Sequence, residues 1–368
     1  MGDALDKITI KGFKSIKSLV DFELKNLNVL IGGNGAGKSN FVDIFRMLRA
    51  MVDENFAKFI RERGRAANFM FNGPKYTKGI AARFDFGPNS YSFELEPTVS
   101  EDFLINSELE LFNGNGTRIG HGNRESRISS RKDEKSHNYP NSYGIGYYIY
   151  KAISNWVVYH FHDTGKNAPM RLSEITADNE SLRSDASNIA PFLLELRDDE
   201  PEYYNSVIGA VRLVTPFFDD FILKPSRSGE EEIVNLSWKQ KGSDYPMQPY
   251  HLSDGTLRFI CLATALLQPN PPSTIVIDEP ELGLHPYAIE ILTELIKAAS
   301  QKTQVIVSTQ SPALVDNFEP EDVIVVNREK GASTFKRLEA KDLTHWLEDY
   351  SLGDLWRKNI VAGGPVHE

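Results

Sequence analysis

Gly32-Gly33-Asn34-Gly35-Ala36-Gly37-Lys38-Ser39 stands between an apolar run, Asn28-Val29-Leu30-Ile31, and a stretch where Phe41, Ile44, Phe45 and Leu48 recur at helical spacing. The run reads as a strand and the recurrence as a helix, so a glycine-rich turn joins the two. The octet satisfies the phosphate-binding pattern G-x-x-x-x-G-K-[ST]. Small residues at Gly32, Asn34, Gly35 and Gly37 let successive backbone N–H groups turn inward around a phosphate, and the following helix aims its positive end at the same group. Lys38 is then placed to reach β- and γ-phosphates, and the Ser39 hydroxyl to ligate Mg²⁺.

Working outward, Ser273-Thr274-Ile275-Val276-Ile277-Asp278-Glu279-Pro280 is an apolar run closed by two carboxylates. At the C-terminal end of a strand, Asp278 can hold Mg²⁺ through its water shell and Glu279 can act as general base toward a water. ATP and Mg²⁺ are therefore the expected ligands. Two more apolar runs, Gln304–Ser308 and Val323–Val326, follow, and a helix with Ile289, Leu292, Ile296 and Ala299 on one side separates the first two. Strands that are apolar throughout and alternate with helices predict an α/β fold with a parallel sheet buried on both faces.

The 368 residues suffice for such a core with room for an inserted unit. Hydrophobic content of 40% and charged content of 25% fit a soluble globular chain. No apolar run approaches the ~20 residues a bilayer requires, so no membrane contact is expected. The N-terminus lacks the features of a signal peptide, and the one cysteine, Cys261, fits a reducing compartment; both predict a cytoplasmic protein. A net charge of −10 argues against coating nucleic acid with the whole surface, though not against a local basic groove.

Three regions are expected. Residues 1–50 form an N-terminal lobe carrying the glycine-rich turn, and 251–368 a C-terminal lobe. Between them, 51–250 read as a strand-rich and helical insert, or lid, with antiparallel strands over 80–112. Within that insert, 113–142 carry six Lys/Arg against three Asp/Glu and almost no apolar residues, which predicts a mobile loop.

Leu252-Ser253-Asp254-Gly255-Thr256, before a helix with Leu257, Ile260, Cys261, Thr264 and Leu267 on one face, resembles the L-S-G-G-Q signature of ABC-type ATPases. A serine and free N–H groups at a helix start make a ready anion site. Further segments resemble the RecF/SMC/OLD branch of that superfamily. They are Gly12-Phe13-Lys14-Ser15-Ile16, the Asn40 that follows Ser39, Glu281-Leu282-Gly283-Leu284-His285-Pro286, and Ser308-Thr309-Gln310-Ser311-Pro312. Val157–Thr164 and Leu352–Trp356 look like segments of small bacterial AAA family ATPases of anti-phage systems.

The resemblance implies a P-loop NTPase fold of ABC/RecF type, a mostly parallel sheet flanked by helices with an inserted lid-like subdomain. It implies Lys14 and Asn40 near the nucleotide, Gln310 in place of the family's switch histidine, and His285 on a dimer-facing D-loop. It implies a homodimer formed on ATP binding, with Ser253, Asp254 and Gly255 of one chain facing the nucleotide of the other. Two departures stand out. No glutamine lies between Lys38 and Gln240, so the family's Q-loop ligand is replaced, with Asn72 as a candidate. The 215 residues from Lys38 to Ser253 exceed the gap of compact transporter ATPases and hold no sustained heptads.

The expected function is ATP hydrolysis in a dimer whose cycle controls a separate effector protein, a nuclease or toxin, in anti-phage defence. The alternative is direct DNA binding in repair or chromosome maintenance, and a transporter ATPase ranks last. His160, His162 and Asp163 could suggest zinc, but no second ligand pair accompanies them; a polar strand face lining the nucleotide cleft is the reading adopted. Arg258 is expected either at a phosphate across the dimer or in a surface ion pair. Trp346 and Trp356 are expected to pack on the core.

Overall fold

The computed structural model describes residues 4–136 and 142–361. Its centre is a six-stranded sheet in the order β17-β16-β3-β15-β14-β8. The strands are β3 (Leu27–Ile31), β8 (Trp156–Tyr159), β14 (Thr274–Asp278), β15 (Gln304–Thr309), β16 (Val323–Glu329) and β17 (Ala332–Arg337). All neighbours run parallel except β17, which returns as a hairpin on β16.

The unbroken apolar character of these strands has a simple cause. Successive side chains point to opposite faces, and both faces are covered. Ile275 and Ile277, Val305 and Val307, and Val323 and Val325 enter one core with helices α6 (Asp254–Leu267) and α7 (Pro286–Ser300). Val276, Ile306, Ile324 and Val326 enter a second core beneath α1 (Lys38–Val52).

That second core is closed by an antiparallel sheet, β2-β1-β4-β5-β6-β7. Its strands are β1 (Lys7–Phe13), β2 (Ile16–Glu23), β4 (Ile80–Phe86), β5 (Asn89–Pro97), β6 (Phe103–Phe112) and β7 (Asn115–Gly120). Strict alternation of buried and partly exposed residues along β4 explains its one-sided burial. Helices α2 (Phe56–Glu62) and α3 (Ile145–Ser154) complete this layer. An aromatic cluster joins the layers: Trp156 of β8 lies 5.2 Å from Phe45 of α1 and 5.8 Å from Phe86 of β4, ring centre to ring centre. Trp156→Ala is expected to cost about 3–5 kcal/mol, read as a lower urea midpoint with an unchanged slope. A cost below about 1 kcal/mol would mean the cluster does not hold the layers together.

Residues 51–250 thus serve three places. Strands β4–β7 extend the β1–β2 pair, β8 joins the parallel sheet, and the rest form a unit beside α6. That unit holds α4 (Ile189–Asp199), α5 (Pro201–Val214) and two small sheets, β10 (Phe218–Ile222) with β13 (Ser237–Gln240), and β11 (Ser226–Ser228) with β12 (Glu231–Val234) and β9 (Glu174–Ile175). Divisions at residues 50 and 250 therefore cut across both large sheets.

The stretch 113–142, expected as a loop, instead supplies β7 and a 3₁₀ turn at Ile128–Arg131, while 137–141 lie outside the described residues. Two contacts supply the order that composition does not show. β7 pairs with β6, and Ser126 and Arg127 N–H are held by the buried Glu108 carboxylate.

The C-terminal segment packs through α8 (Pro312–Val315), α9 (Ala340–Leu347) and α10 (Leu352–Arg357). Trp356 is buried there, as expected, whereas Trp346 is 45% exposed. Among the described residues no helix is long and apolar enough to cross a membrane.

Candidate nucleotide site

Three neighbouring parallel strands deliver the site. β3 runs into the glycine-rich turn and α1, β14 ends at Asp278, and β15, lying between them, ends at Thr309 before Gln310. Pairing sets their ends level: Thr309 stands opposite Ile31, and Ser308 opposite Asp278. Ligands of open parallel sheets sit outside the carboxyl ends of such strands.

The turn tolerates no side chain at two of its glycines. Gly37, the residue before α1, has φ 117°, and a Cβ there would collide with the Ser333 hydroxyl. A Cβ on Gly32 would strike the Val326 carbonyl oxygen. Both obstacles come from the β16–β17 hairpin. Ser333 also donates to the Ala36 carbonyl and bonds Ser15 at 2.7 Å, and Ser15 in turn accepts from Asn40 at 2.7 Å. Ser333 and Arg328, which reaches the Gly35 carbonyl at 3.4 Å, carry no local pattern that would have found them.

Lys38 points back into the turn, donating to the Gly32 carbonyl at 2.6 Å and that of Gly33 at 3.3 Å. Burial pulls its ammonium pKa below the usual lysine range, against the opposing pull of Glu279, Asp278 and Glu281. Those attractions place the lysine and the three carboxylates at one focus. Ser39 and Asn34 are exposed at its mouth.

Asp278 is buried, and its Oδ1 has no hydrogen-bond partner. A buried acceptor without a donor is costly in a folded protein, and a hydrated cation satisfies it. Together with the glycine cradle, this orphan oxygen fits Mg²⁺ and a nucleotide phosphate. Bound there, Mg²⁺ would neutralise charge on the phosphates. Glu279 has φ 48°, accepts from the Gln310 side-chain amide, and anchors its own N–H on the Ser308 carbonyl at 2.7 Å. The expected base and the expected switch residue thus touch.

Glu281 was quoted only as part of a run, yet it ties two loops together. Its Oε1 accepts from the Thr309 hydroxyl at 2.6 Å and the Gln310 N–H at 3.1 Å. Burial raises its carboxyl pKa, which Thr309 partly offsets.

Lys14 pairs with Asp43 of α1. Burial alone would raise the Asp43 pKa, but Lys14 and Arg46 hold it below the usual carboxylate range. Lys14, Ser15, Asn40, Asn72 and Arg328 line a cleft of about 330 Å³ at the first turn of α1. Asn72 therefore lies with Lys14 and Asn40.

Ser253 caps α6, accepting from the Thr256 N–H at 3.1 Å, and it is exposed together with Asp254. The contacts of this segment run to the D-loop: a Cβ on Gly255 would strike the Gly283 carbonyl. Arg171, its side chain only 6% exposed, donates to the carbonyls of Pro249, Leu252 and Thr164 and pairs with Asp254 at 2.9 Å. A buried guanidinium satisfied mainly by carbonyls is a clamp on the loop before α6. His285 caps α7, accepting from the Tyr287 N–H at 3.3 Å, and is exposed beside Leu282 and Tyr287.

Arg258 departs from both expectations. It is buried, donating to the Phe161, His162 and Leu282 carbonyls, because the first turn of α6 packs onto the D-loop rather than facing solvent. His160 and His162 stack 4.5 Å apart, and His162 Nε2 lies 2.9 Å from the Asp278 carbonyl oxygen. The strand face they occupy does adjoin the site. Cys261 is a core residue, its thiol pushed up to about 12 by burial.

A glycine turn on a parallel sheet, two carboxylates at the next strand end but one, and a polar switch between them define a P-loop ATPase head. Two solved structures share the fold. An Smc head bound to the C-terminal winged-helix domain of ScpA aligns at TM-score 0.59 and 14% identity, covering 93% of this chain and 99% of that one. An Smc head from Pyrococcus furiosus with an extended coiled coil, bound to the C-terminal domain of ScpA, aligns at TM-score 0.56 and 16% identity, covering 94% and 99%. No curated protein matches in sequence. The chain belongs to the family described as AAA domain, putative AbiEii toxin, Type IV TA system, whose model matches residues 27–316.

Proposed function

We propose that this chain binds and hydrolyses ATP between two copies of itself, and that closing and opening of the dimer is its output. What carries the reading is the convergence of Lys38, Asp278, Glu279 and Gln310 at three adjacent strand ends, while Ser253–Gly255 makes its contacts with the D-loop. One chain then supplies the phosphate cradle and its partner the exposed serine and free N–H groups at the start of α6. Lys38 and the cradle N–H groups hold the phosphates, Ser39 and Asp278 face Mg²⁺, Glu279 takes a proton from the attacking water, and Gln310 orients Glu279. His285, Leu282 and Tyr287 lie on the dimer-facing side.

The cycle is read as control of a separate effector protein, a nuclease or toxin, in anti-phage defence. Direct DNA binding in repair or chromosome maintenance is the second reading, and the Smc-head fold is compatible with it.

Shared sites make a mixing test decisive. Lys38→Ala and Ser253→Arg proteins should each be inactive alone. Mixed, they should recover roughly a quarter of wild-type turnover, since half the dimers carry one intact site. No recovery, with dimers shown by light scattering, would place signature and cradle in the same chain's site. Arg171→Ala should release the loop before α6 and weaken ATP-dependent dimerisation by about tenfold, with monomer ATP affinity unchanged. Light scattering against protein concentration reads both.

A further inference from the structure

Between the residue that faces Mg²⁺ and the residue that faces water lies one peptide group, the bond from Asp278 to Glu279. Both of its polar atoms are tied down by neighbouring strands. Its N–H donates to the Ser308 carbonyl on β15 at 2.7 Å. Its carbonyl oxygen lies 2.9 Å from Nε2 of His162, in the chain that leaves β8 on the other side. β8 runs parallel to β14, Tyr159 opposite Ile277, so His160-Phe161-His162 continues beside the carboxyl end of β14.

We propose that His162 is a positioning residue for the reaction: it fixes the rotation of the Asp278–Glu279 peptide and so aims both carboxylates. A carbonyl oxygen only accepts, so the imidazole proton sits on Nε2 and Nδ1 carries the lone pair. The fix matters because Glu279 is left-handed at φ 48°, a conformation a non-glycine residue keeps only when its surroundings impose it. The ring is itself held. His160 stacks on it with planes 16° apart, and Arg258 of α6 donates to the Phe161 carbonyl at 2.9 Å and the His162 carbonyl at 3.3 Å. Since Arg258 also bonds the Leu282 carbonyl, the backbone that carries His162 is anchored to signature helix and D-loop together. The position lacking a Q-loop glutamine is thus served by an imidazole from the strand next to β14.

The proposal rests on the reading of Glu279 as base, and its test separates the two. His162→Ala should lower kcat by up to about 100-fold with ATP affinity within twofold, because misdirection costs the chemical step and not phosphate binding. His162→Gln, whose amide can donate to the same carbonyl, should restore most of that loss. Unchanged kcat in His162→Ala, or equal loss in Ala and Gln variants of native thermal stability, overturns the proposal. Nitrogen-15 NMR of histidine-labelled protein, with the His162 signal identified by its loss in His162→Gln, should show the Nε2–H tautomer; the Nδ1–H form overturns it. If wild-type protein hydrolyses no ATP, the reading of Glu279 fails, and the NMR result still decides whether His162 holds the peptide.

Discussion

Replacing Glu279 by glutamine is expected to slow ATP turnover by about 100- to 10,000-fold while leaving ATP binding intact. The side chains are isosteric, and the Gln310 amide that donates to Glu279 Oε1 can donate equally to an amide oxygen. Main-chain ties also survive, since the Ser308 carbonyl accepts from the backbone of residue 279. What disappears is the basic oxygen that takes the proton of water. Phosphate release under single-turnover conditions and titration calorimetry with ATP and Mg²⁺ separate the two effects. The same variant should accumulate as a dimer with ATP, because closure precedes hydrolysis in the proposed cycle. Turnover at the wild-type rate would remove Glu279 from the chemistry.

Lys38→Ala should act earlier, weakening ATP affinity by about 30- to 5,000-fold, the range expected when one partner of a buried charge pair is truncated. The ammonium is buried against the Gly32 and Gly33 carbonyls and lies within the field of Asp278, Glu279 and Glu281. Without it, a polyphosphate would enter a site whose remaining nearby charges are carboxylates. Alanine is an excellent helix former at the start of α1, so thermal stability should hold and the loss should read as binding alone. Calorimetry with ATP checks this, and unchanged affinity would mean the phosphates bind elsewhere.

The two predictions probe residues of very different legibility. Lys38 and Glu279 stand in local patterns where a few consecutive residues carry both the fold of the turn and its chemistry. The parallel sheet was legible for a similar reason: Thr274–Ile277 and Gln304–Ser308 are apolar at every position, which only burial on both faces explains. The antiparallel strands over 80–112 followed from alternation alone.

Other features depend on contacts between distant segments. The 113–142 stretch looked like a loop because its order comes from pairing with β6 and from the buried Glu108, neither visible in its composition. Arg258 looked like a surface or phosphate residue because an arginine near a helix start carries no mark of burial. Only the packing of α6 on Leu282 and on the Phe161–His162 backbone buries it.

By itself the sequence determined the phosphate cradle, the paired carboxylates, the switch and the buried parallel strands, because each is encoded by neighbours along the chain. Tertiary structure alone decided that the β16–β17 hairpin walls the cradle, that Arg171 clamps the loop before α6, and that His162 reaches the Asp278 carbonyl from 116 residues away. Those are hydrogen bonds and steric contacts between residues far apart in sequence, and no periodicity or spacing records which segments a fold will bring together.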